Sequence, residues 1–459
     1  MPSMNSDTIG PQPACKVPSE YQSKPVKFAV LSDIHYYYPL LGTTGEAFRN
    51  HLATDRKMLA ESESILLRAL AAIRKSDAQF VLICGDLTKD GEYICHQRFA
   101  DFLTELANAG KNVYVINGNH DIYNPSAFSY NGSKKIPIKN TSPRDFQRLY
   151  YGYGYEQAIA VDPNSLSYVV EPAPGLRIIA MDSCIYNKNS KFSVTNGALP
   201  PERLNWVKYQ IQAATSQGNL VMGMMHHGIV PHFSVKPAYY SEYLVTNYKQ
   251  AAKAISGAGM NIVFTGHFHA QNIAKKKFSK DDYLIDVETG SLVTYPVPYR
   301  LVEITADFKK VKISSYQIKK ASCPSPDHDF QTYAKNFTAQ KMRELFIQII
   351  SNIIVQAQPA ISPASAFEFA ASLNTQYITK SLTVADLFVN AMLAHYHGDQ
   401  KPDLNTKKLY QALAASNDSY YQVIGRFLLS ISADSNLGDN AVTIDLSTGE
   451  PVSGLLHVI

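Results

Sequence analysis

Residues 27–35 read KFAVLSDIH, a short apolar run that ends directly in polar side chains. Four later stretches repeat the pattern: FVLICGD at 80–86, NVYVINGNHD at 112–121, LVMGMMHH at 220–227 and NIVFTGHFH at 261–269. Short runs rich in Val, Ile and Phe are typical of the buried strands of an α/β fold. In an open α/β sheet, ligands bind beyond the carboxyl ends of the strands. We therefore predict a sheet that collects its functional side chains at one edge.

Longer segments with a helical spacing of apolar residues separate these runs, and the order strand, helix, strand predicts an α/β fold. Residues 125–174 are rich in Tyr, Asn, Gly and Pro, which indicates a long insertion of loops over one end of the sheet. The predicted strands are 27–31, 80–84, 112–116, 176–181, 220–225, 261–264, 285–293 and 301–318, and the predicted helices between them are 54–75, 92–109, 201–216 and 247–256.

Residues 323–330 contain two prolines and precede a region in which helical patterns dominate. A chain of 459 residues is long enough for one large domain and a second, smaller unit. We predict a flexible N-terminal segment at 1–25, an α/β domain at 26–322 and a helical C-terminal domain at 323–459, which could act as a lid, a cap or a dimer interface. The predicted helices of that domain are 334–356, 384–395, 406–415 and 420–431.

Composition and net charge limit which partners this protein can be expected to bind. The net charge of +4 is small for 459 residues, so we expect no extended nucleic acid as a partner. Five scattered cysteines indicate neither a disulfide framework nor a thiolate metal site. The sequence contains no run of about 18 apolar residues and no signal-peptide hydrophobic stretch at its start. As it stands it predicts a cytoplasmic protein without a membrane span, or an exported one if an N-terminal signal has been removed.

The five strand ends carry carboxylate, amide and imidazole groups. Residues i and i+2 of an extended segment point to the same side, so Asp33 with His35, and His267 with His269, can each face one cavity. Oxygen and imidazole ligands without cysteine suit divalent or trivalent first-row metals such as manganese, iron and zinc. Glycines precede three of the candidate ligands and allow a close approach of the backbone. The candidate ligands are more than one ion needs.

Each motif alone has a simpler structural explanation. An Asp-x-His pair could be a turn residue beside a packed imidazole, and two adjacent histidines could be a hydrogen-bonded pair in the core. A further His-x-His, formed by His395 and His397, lacks a carboxylate nearby and is interpreted as a solvated helix end. The complete set, with every member at a predicted strand end and in one order, favours a metal site.

In this order the five motifs resemble the signature of the calcineurin-like metallophosphoesterases. The resemblance covers residues 27–318, about two thirds of the chain. It is closest to the bacterial branch that contains cyclic-nucleotide and glycerophosphodiester phosphodiesterases, and residues 85–88 and 165–175 resemble members of that branch with a helical C-terminal extension. The resemblance implies an α/β fold with a four-layer α/β/β/α sandwich and a smaller helical C-terminal domain.

The family pattern also implies a dinuclear metal centre whose two ions share one carboxylate, that of Asp86. A carboxylate is suited to this bridging position because its lone pairs can serve two cations about 3.5–4 Å apart. The implied ligands are Asp33, His35, Asp86 and His269 for one ion, and Asp86, Asn119, His226 and His267 for the other.

Three further residues are expected to act beside the metals. His120 would contact the phosphate and protonate or hydrogen-bond the leaving oxygen, and Asp121 would orient it. His227 is expected behind the ligands or on the substrate side, and Tyr123 is expected in the wall of the substrate pocket.

The resemblance implies hydrolysis of phosphodiesters such as cyclic nucleotides, by attack of a hydroxide that bridges the two metals. Hydrolysis of phosphomonoesters, as by a nucleotidase, is the nearer alternative. A non-catalytic scaffold that kept the fold is the other, although a scaffold would be expected to lose ligands and the sequence retains all seven. The expected partner is a small phosphate ester, and the C-terminal helices could form a homo-oligomer.

Overall fold

The computed structural model describes residues 24–280, 282–324, 329–433 and 437–452. The predicted N-terminal segment 1–25 lies outside these residues except for its last two positions. Two seven-stranded sheets and one two-stranded hairpin form the β-structure of the described ranges. None of the helices in these ranges is both long and apolar enough to cross a membrane.

The first sheet contains β1 (Val26–Leu31), β2 (Phe80–Cys84), β3 (Asn112–Ile116), β13 (Pro298–Ile304), β14 (Lys310–Gln317), β15 (Ala441–Asp445) and β16 (Glu450–Pro451). Their order across the sheet is β16-β15-β14-β13-β1-β2-β3. β1, β2 and β3 run parallel, and β1 pairs antiparallel with β13. The continuous apolar run of β2 is buried at every position, as expected for a parallel strand covered on both faces.

The second sheet contains β6 (Ala160–Val161), β7 (Tyr168–Ala173), β8 (Leu176–Met181), β9 (Leu220–Met225), β10 (Ile262–Thr265), β11 (Asn272–Lys277) and β12 (Tyr283–Glu288). Their order is β11-β12-β10-β9-β8-β7-β6. β8, β9, β10 and β12 are parallel, so the strands that precede the two histidine motifs end at the same edge.

The two sheets pack face to face with helices on the outside. The Phe28 ring stacks on Phe80 within the first sheet and meets Phe264 of the second sheet edge-on, with a centroid distance of 5.5 Å. This arrangement confirms the predicted α/β/β/α sandwich. The hairpin is formed by β4 (Phe128–Asn131) and β5 (Lys134–Pro137), and the helices of this part are α1 (Glu46–Leu52), α2 (Ser62–Lys75), α3 (Tyr93–Asn108), α4 (Pro143–Leu149), α5 (Pro201–Ser216), α6 (Lys236–Tyr239) and α7 (Tyr248–Ala258).

A helical region follows the sandwich, and its apolar core also includes Phe233, Tyr240, Phe268 and Ala270 of the α/β part. It contacts the α/β part through the residues around Phe268, whose ring lies against Tyr396, and through a hydrogen bond from the Gln271 N–H to the Tyr396 carbonyl. The predicted helical character of this region is confirmed. Its helices are α8 (Phe330–Ala357), α9 (Pro363–Leu373), α10 (Val384–His397), α11 (Leu404–Ala414) and α12 (Ser419–Ser432).

The chain then returns to the first sheet, which the sequence did not predict. β15 pairs antiparallel with β14, and Ile444 lies opposite Val311. The Ile444 side chain is fully buried in the core of the sandwich. Residues beyond the helices therefore stabilise the α/β part of the molecule.

Ile444→Ala should lower the free energy of unfolding by about 2–5 kcal/mol, because it removes buried methyl groups and leaves a cavity. Val442→Ala, at a half-buried position of the same strand, should cost less than about 1 kcal/mol. Chemical denaturation of both variants would measure the difference. Equal effects would show that β15 does not pack as described.

Several predicted elements differ in detail. Residues 54–61 are not part of the helix predicted at 54–75: α2 begins at Ser62, and Met58 donates its N–H to Val293. The strand predicted at 301–318 is the hairpin of β13 and β14. Residues 125–174, predicted as loops, also contain α4 and β4 to β7, of which β6 and β7 belong to the second sheet. The sequence analysis also missed α1, α6, α9 and β11. The His395 ring packs against Phe233 and Phe268, so it is not a solvated helix end.

Candidate metal centre

The predicted ligands lie on the turns that follow β1, β2, β3, β9 and β10. Five of them have a left-handed backbone, which is uncommon for residues other than glycine and costs about 1–3 kcal/mol each. Such strain persists only where surrounding contacts hold it, and it clusters at functional sites. The five residues, with their φ angles, are Asp33 (52°), His35 (42°), Asp86 (50°), His267 (78°) and His269 (68°).

Backbone hydrogen bonds between neighbouring turns hold this geometry. The Asp33 N–H donates to the Gly85 carbonyl at 3.1 Å, and the His35 N–H donates to the Asp86 carbonyl at 2.9 Å. Gly266 is needed for a close approach, because a Cβ at this position would overlap with the Ser32 hydroxyl. The predicted role of the glycine before His267 is therefore confirmed.

The first group of ligand atoms is formed by Asp33, His35 and His269. His269 Nε2 lies 3.3 Å from Asp33 Oδ1 and 3.3 Å from His35 Nε2. The second carboxylate oxygen, Asp33 Oδ2, accepts hydrogen bonds from the Ser32 hydroxyl at 2.7 Å and the His267 N–H at 2.9 Å. These two donors turn Oδ1 toward the imidazoles.

The second group is formed by Asp86, His226 and His267, with Asn119 beside them. His226 Nε2 lies 3.2 Å from Asp86 Oδ2 and 3.1 Å from His267 Nδ1. Asn119 Oδ1 is 3.0 Å from the same His226 nitrogen. The first histidine of the adjacent pair is therefore the one that faces the group, as predicted.

Asp86 lies between the two groups. Its Oδ2 atom is 3.5 Å from His35 Nε2 in addition to its contact with His226. Its Oδ1 atom accepts the His120 N–H at 2.9 Å, which fixes the plane of the carboxylate. One oxygen thus faces ligands of both groups, the position expected of a bridging carboxylate.

Hydrogen bonds to backbone carbonyls set which imidazole nitrogen faces the centre. Because a carbonyl can only accept, His226 Nδ1 donates to Cys84 at 2.9 Å and His267 Nε2 donates to Glu242 at 3.2 Å. The opposite nitrogen of each ring is then the atom that faces the group. Histidines that bind metals are typically oriented in this way.

Burial lowers the pKa values of His35, His267 and His269, so His226 is the ligand imidazole that offsets the buried negative charge. Burial opposes ionisation of both carboxyl groups, but His269 holds the pKa of Asp33, and His226 the pKa of Asp86, well below the usual range. Burial lowers the pKa of His226, but Asp86 outweighs it and raises that pKa to about 9. Without a metal, a protonated imidazole therefore compensates the buried carboxylates, a role that a bound cation can take over.

The residues present fit metal ions. Asp33 Oδ1 is buried and receives no hydrogen bond from the described residues, and a buried anionic oxygen without a partner is costly. Burial and the nearby Lys57 lower the pKa of His35 to about 3, so this imidazole is neutral, as a ligand must be. A cation between Asp33, His35 and His269 would satisfy these atoms together.

His120 lies at the edge of the centre, and its side chain is 26% exposed. Its Nδ1 atom donates to Asp90 Oδ1 at 2.8 Å, and its Nε2 atom lies 4.0 Å from Asp86 Oδ2. Asp90 also forms an ion pair with Lys89, which is fully buried. The imidazole is thus held by one nitrogen and directed at the centre with the other.

Asp121 does not orient His120 as predicted. Its carboxylate accepts hydrogen bonds from the N–H groups of Leu87, Thr88 and Gly118, at 2.8–3.1 Å. These bonds stabilise the turn after β2 and connect it to the turn after β3. Asp90 takes the predicted position beside the imidazole. No sequence pattern indicated this contact, because an aspartate four residues after Asp86 in a polar turn is unremarkable.

His227 and Tyr123 lie in different environments. His227 is fully buried, and its ring nitrogens bond the Ser183 hydroxyl at 2.8 Å and the Thr195 carbonyl at 2.9 Å, so neither is available to a substrate. It packs against the His226 and His267 rings instead. Tyr123 is 46% exposed, which is compatible with a pocket wall.

Comparison with known proteins gives a family match. The model of the family described as calcineurin-like phosphoesterase matches residues 26–271, slightly more than half of the chain. None of the curated proteins matches the sequence.

Similar solved structures have low sequence identity. A dimetal phosphatase from Danio rerio is 14% identical, with a TM-score of 0.45, and the match covers 64% of this chain and 97% of that one. A candidate 5′-nucleotidase from Staphylococcus aureus is 14% identical, with a TM-score of 0.39 and coverages of 69% and 58%. A purple acid phosphatase from yellow lupin (Lupinus luteus) is 12% identical, with a TM-score of 0.36 and coverages of 66% and 53%.

Proposed function

We propose that this chain, which belongs to the calcineurin-like phosphoesterase family, hydrolyses small phosphodiesters at the candidate metal centre. The observation that carries this proposal is the meeting of two groups of buried ligand atoms at one carboxylate, that of Asp86. A scaffold would gain nothing from holding five ligands in a strained left-handed backbone. Catalysis therefore explains the centre better than a structural role.

The proposed centre holds two ions, one at Asp33, His35 and His269 and one at His226, His267 and Asn119, with Asp86 shared. When bound, two such cations would neutralise charge on the phosphoryl oxygens and make water a stronger nucleophile at neutral pH. Manganese, iron and zinc all suit oxygen and imidazole ligands.

His120 is the proposed general acid. The bond from its Nδ1 to Asp90 leaves Nε2 as the atom that faces a bound ester. Burial and Lys57 oppose protonation, but Asp86 and Asp90 outweigh them and raise the pKa of His120 above its ordinary value. A proton held on Nε2 can then pass to the oxygen of the departing alcohol.

The preference for diesters is supported by the resemblance of residues 27–318 to a branch of phosphodiesterases whose members carry a helical C-terminal extension. The helices α8 to α12 correspond to such an extension. A nucleotidase-like monoesterase remains the alternative, because the same centre can bind a phosphomonoester.

A comparison of bis(4-nitrophenyl) phosphate with 4-nitrophenyl phosphate tests the proposal. The protein loaded with manganese, iron or zinc should show a kcat/KM for the diester at least about tenfold higher than for the monoester. A strong preference for the monoester would overturn the diester assignment and leave a phosphomonoesterase. A purified protein that neither binds these metals nor hydrolyses either ester would overturn the enzymatic function.

A further inference from the structure

Three segments meet beside the open side of the metal centre, where the His120 side chain is 26% exposed. They are residues 32–45 after β1, 117–142 after β3 and 182–200 after β8. β1 and β3 belong to the parallel part of the first sheet, so the segments that follow them leave that sheet at one edge. We call the three segments together the rim.

Hydrogen bonds attach the third segment of the rim to the second. The Ser193 hydroxyl donates to the backbone carbonyl of Asn119 at 2.8 Å. The side-chain amide of Asn189 donates to the Ile122 carbonyl at 3.0 Å. The third segment therefore lies against the turn that follows β3 and carries a proposed metal ligand.

The first segment is attached to the β4–β5 hairpin, which is part of the second. The Tyr37 hydroxyl donates to the Phe128 carbonyl of β4 at 3.1 Å. Between the hairpin and the centre lies Asn124, whose side-chain amide donates to the His120 carbonyl at 3.1 Å. The three segments thus adjoin one another around the turn after β3.

The rim displays large apolar side chains to solvent. Leu40, in the first segment, is 81% exposed, and Phe192, in the third, is 71% exposed. These are the highest exposed fractions among the large apolar side chains of the described α/β part. Tyr123 and Ile136, in the second segment, are exposed as well. Apolar side chains that gather in one region of a surface mark a contact site more often than scattered ones do.

The exposed charges of the rim have one sign. Its three acidic residues, Asp33, Asp121 and Asp182, are all fully buried. Its exposed charged residues are all lysines: Lys134, Lys135, Lys139, Lys188 and Lys191. The helix that follows the first segment, α1, adds one exposed acid and one exposed cation, Glu46 and Arg49, which offset each other. The rim is therefore a positively charged surface with projecting apolar groups.

Lysines beside projecting apolar side chains fit the surface of an anionic bilayer. Lysines are attracted to anionic headgroups, and apolar side chains can enter the boundary between headgroups and acyl chains. Lys191 Nζ lies 5.6 Å from the centroid of the Phe192 ring, so a cation and an apolar group are presented together. A nucleic acid fits less well, because the rim contains no arginine and a polyanion offers no apolar layer to Leu40.

We propose that the rim docks this protein on bilayers that contain anionic lipids, with Leu40 and Phe192 inserted at the level of the headgroups and the lysines in contact with lipid phosphates. Docking in this way turns the open side of the metal centre toward the membrane. The inference does not depend on the proposed reaction, because binding to a bilayer is measured without turnover.

Sedimentation with vesicles tests the proposal. The protein should bind vesicles of phosphatidylcholine with about 30% phosphatidylglycerol at least about tenfold more tightly than vesicles of phosphatidylcholine alone. Raising the salt concentration should weaken the binding, because salt screens the attraction between the lysines and the headgroups.

One double variant tests the apolar groups. Leu40→Ser combined with Phe192→Ser should weaken binding to the anionic vesicles by about tenfold or more, because both inserted side chains are lost. The matched control combines Leu404→Ser on α11 with Tyr209→Ser on α5, two positions of comparable exposure outside the rim. The control should bind as tightly as the unchanged protein.

A second double variant tests the charge. Lys188→Gln combined with Lys191→Gln should weaken binding to the anionic vesicles by about tenfold or more. The matched control is Lys407→Gln combined with Lys408→Gln, which removes two exposed lysines of α11. Because the net charge changes equally in both, a difference between them reports the position of the lysines.

Three results would overturn the proposal. The first is a protein that binds neither kind of vesicle or binds both equally, and the second is a pair of rim variants that bind as tightly as their controls. The third is a dimer in sedimentation velocity that Leu40→Ser with Phe192→Ser dissociates, which would show that the rim covers a second copy of the chain. Each of these results leaves the proposed function standing, because that function is tested by turnover of soluble esters.

Discussion

Asp86→Asn should yield a folded protein that retains neither metal ion and shows no measurable turnover. The carboxylate places one oxygen 3.2 Å from His226 Nε2 and 3.5 Å from His35 Nε2. The amide of asparagine has the same shape but only one acceptor oxygen and no charge. If that oxygen keeps the bond from the His120 N–H, an NH₂ group faces both metal positions. Loss of both metal ions removes their stabilisation of the charge on the phosphoryl oxygens, which should reduce kcat by roughly 10³-fold or more.

Metal analysis of the purified protein, alongside turnover of bis(4-nitrophenyl) phosphate, measures this expectation. Asp162→Asn is a suitable control, because Asp162 is also buried but accepts hydrogen bonds from Asn164 and Ser165 in another turn. The control should keep its metals. Circular dichroism would establish that Asp86→Asn is folded. Two metal ions per chain in Asp86→Asn would contradict the shared position of this carboxylate.

The parts of the molecule that the sequence predicts well are those fixed by local pattern. The strand at 80–84 and the helix at 201–216 have the predicted bounds, because a continuous apolar run and an uninterrupted helical spacing each allow one assignment. The candidate ligands converge because parallel strands end at one edge. Asp86 was therefore predictable as the central residue.

The parts that the sequence misses are decided by contacts between distant residues. The segment 54–61 has helical spacing, but its Met58 N–H donates to the Val293 carbonyl, and the segment is a loop between α1 and α2. Ile444 was not recognised as a core residue because its strand pairs with β14, more than a hundred residues earlier. No local sequence pattern encodes these pairings, because tertiary contacts override the local preference of a segment for helix or strand.

The helical region and the metal centre are connected by a similar long-range contact. Phe268, between two predicted ligands, lies against His395 and Tyr396 of α10. The Tyr396 carbonyl also accepts the Gln271 N–H. The helical region thus supports the segment that carries the histidine motif. These contacts join the C-terminal helices to the loop that carries His267 and His269.

His120→Ala should lower turnover while both metals stay bound, because neither proposed ion is assigned to His120, although its imidazole lies with His35 and Asp86 in a third group of potential ligand atoms. General acid catalysis typically contributes about 10²–10⁴-fold, so a loss of that size is expected for substrates whose leaving alcohol needs a proton. An alkyl ester has such a leaving group. With 4-nitrophenolate, which departs as a stable anion, the loss should be much smaller. Rates for both substrate types, with metal content measured in parallel, check this expectation.

Asp90→Asn distinguishes proton transfer by His120 from simple binding of the phosphate. Asp90 contacts only the Nδ1 side of the imidazole. Its replacement should weaken the orientation of the ring and slow alkyl esters more than 4-nitrophenyl esters, by a smaller factor than His120→Ala does. Asp121→Asn should not reproduce it, because that carboxylate bonds the backbone of the turn after β2. If His120→Ala slowed alkyl and 4-nitrophenyl esters by the same factor, His120 would act on the phosphoryl oxygens in both reactions and not as the acid for the leaving group.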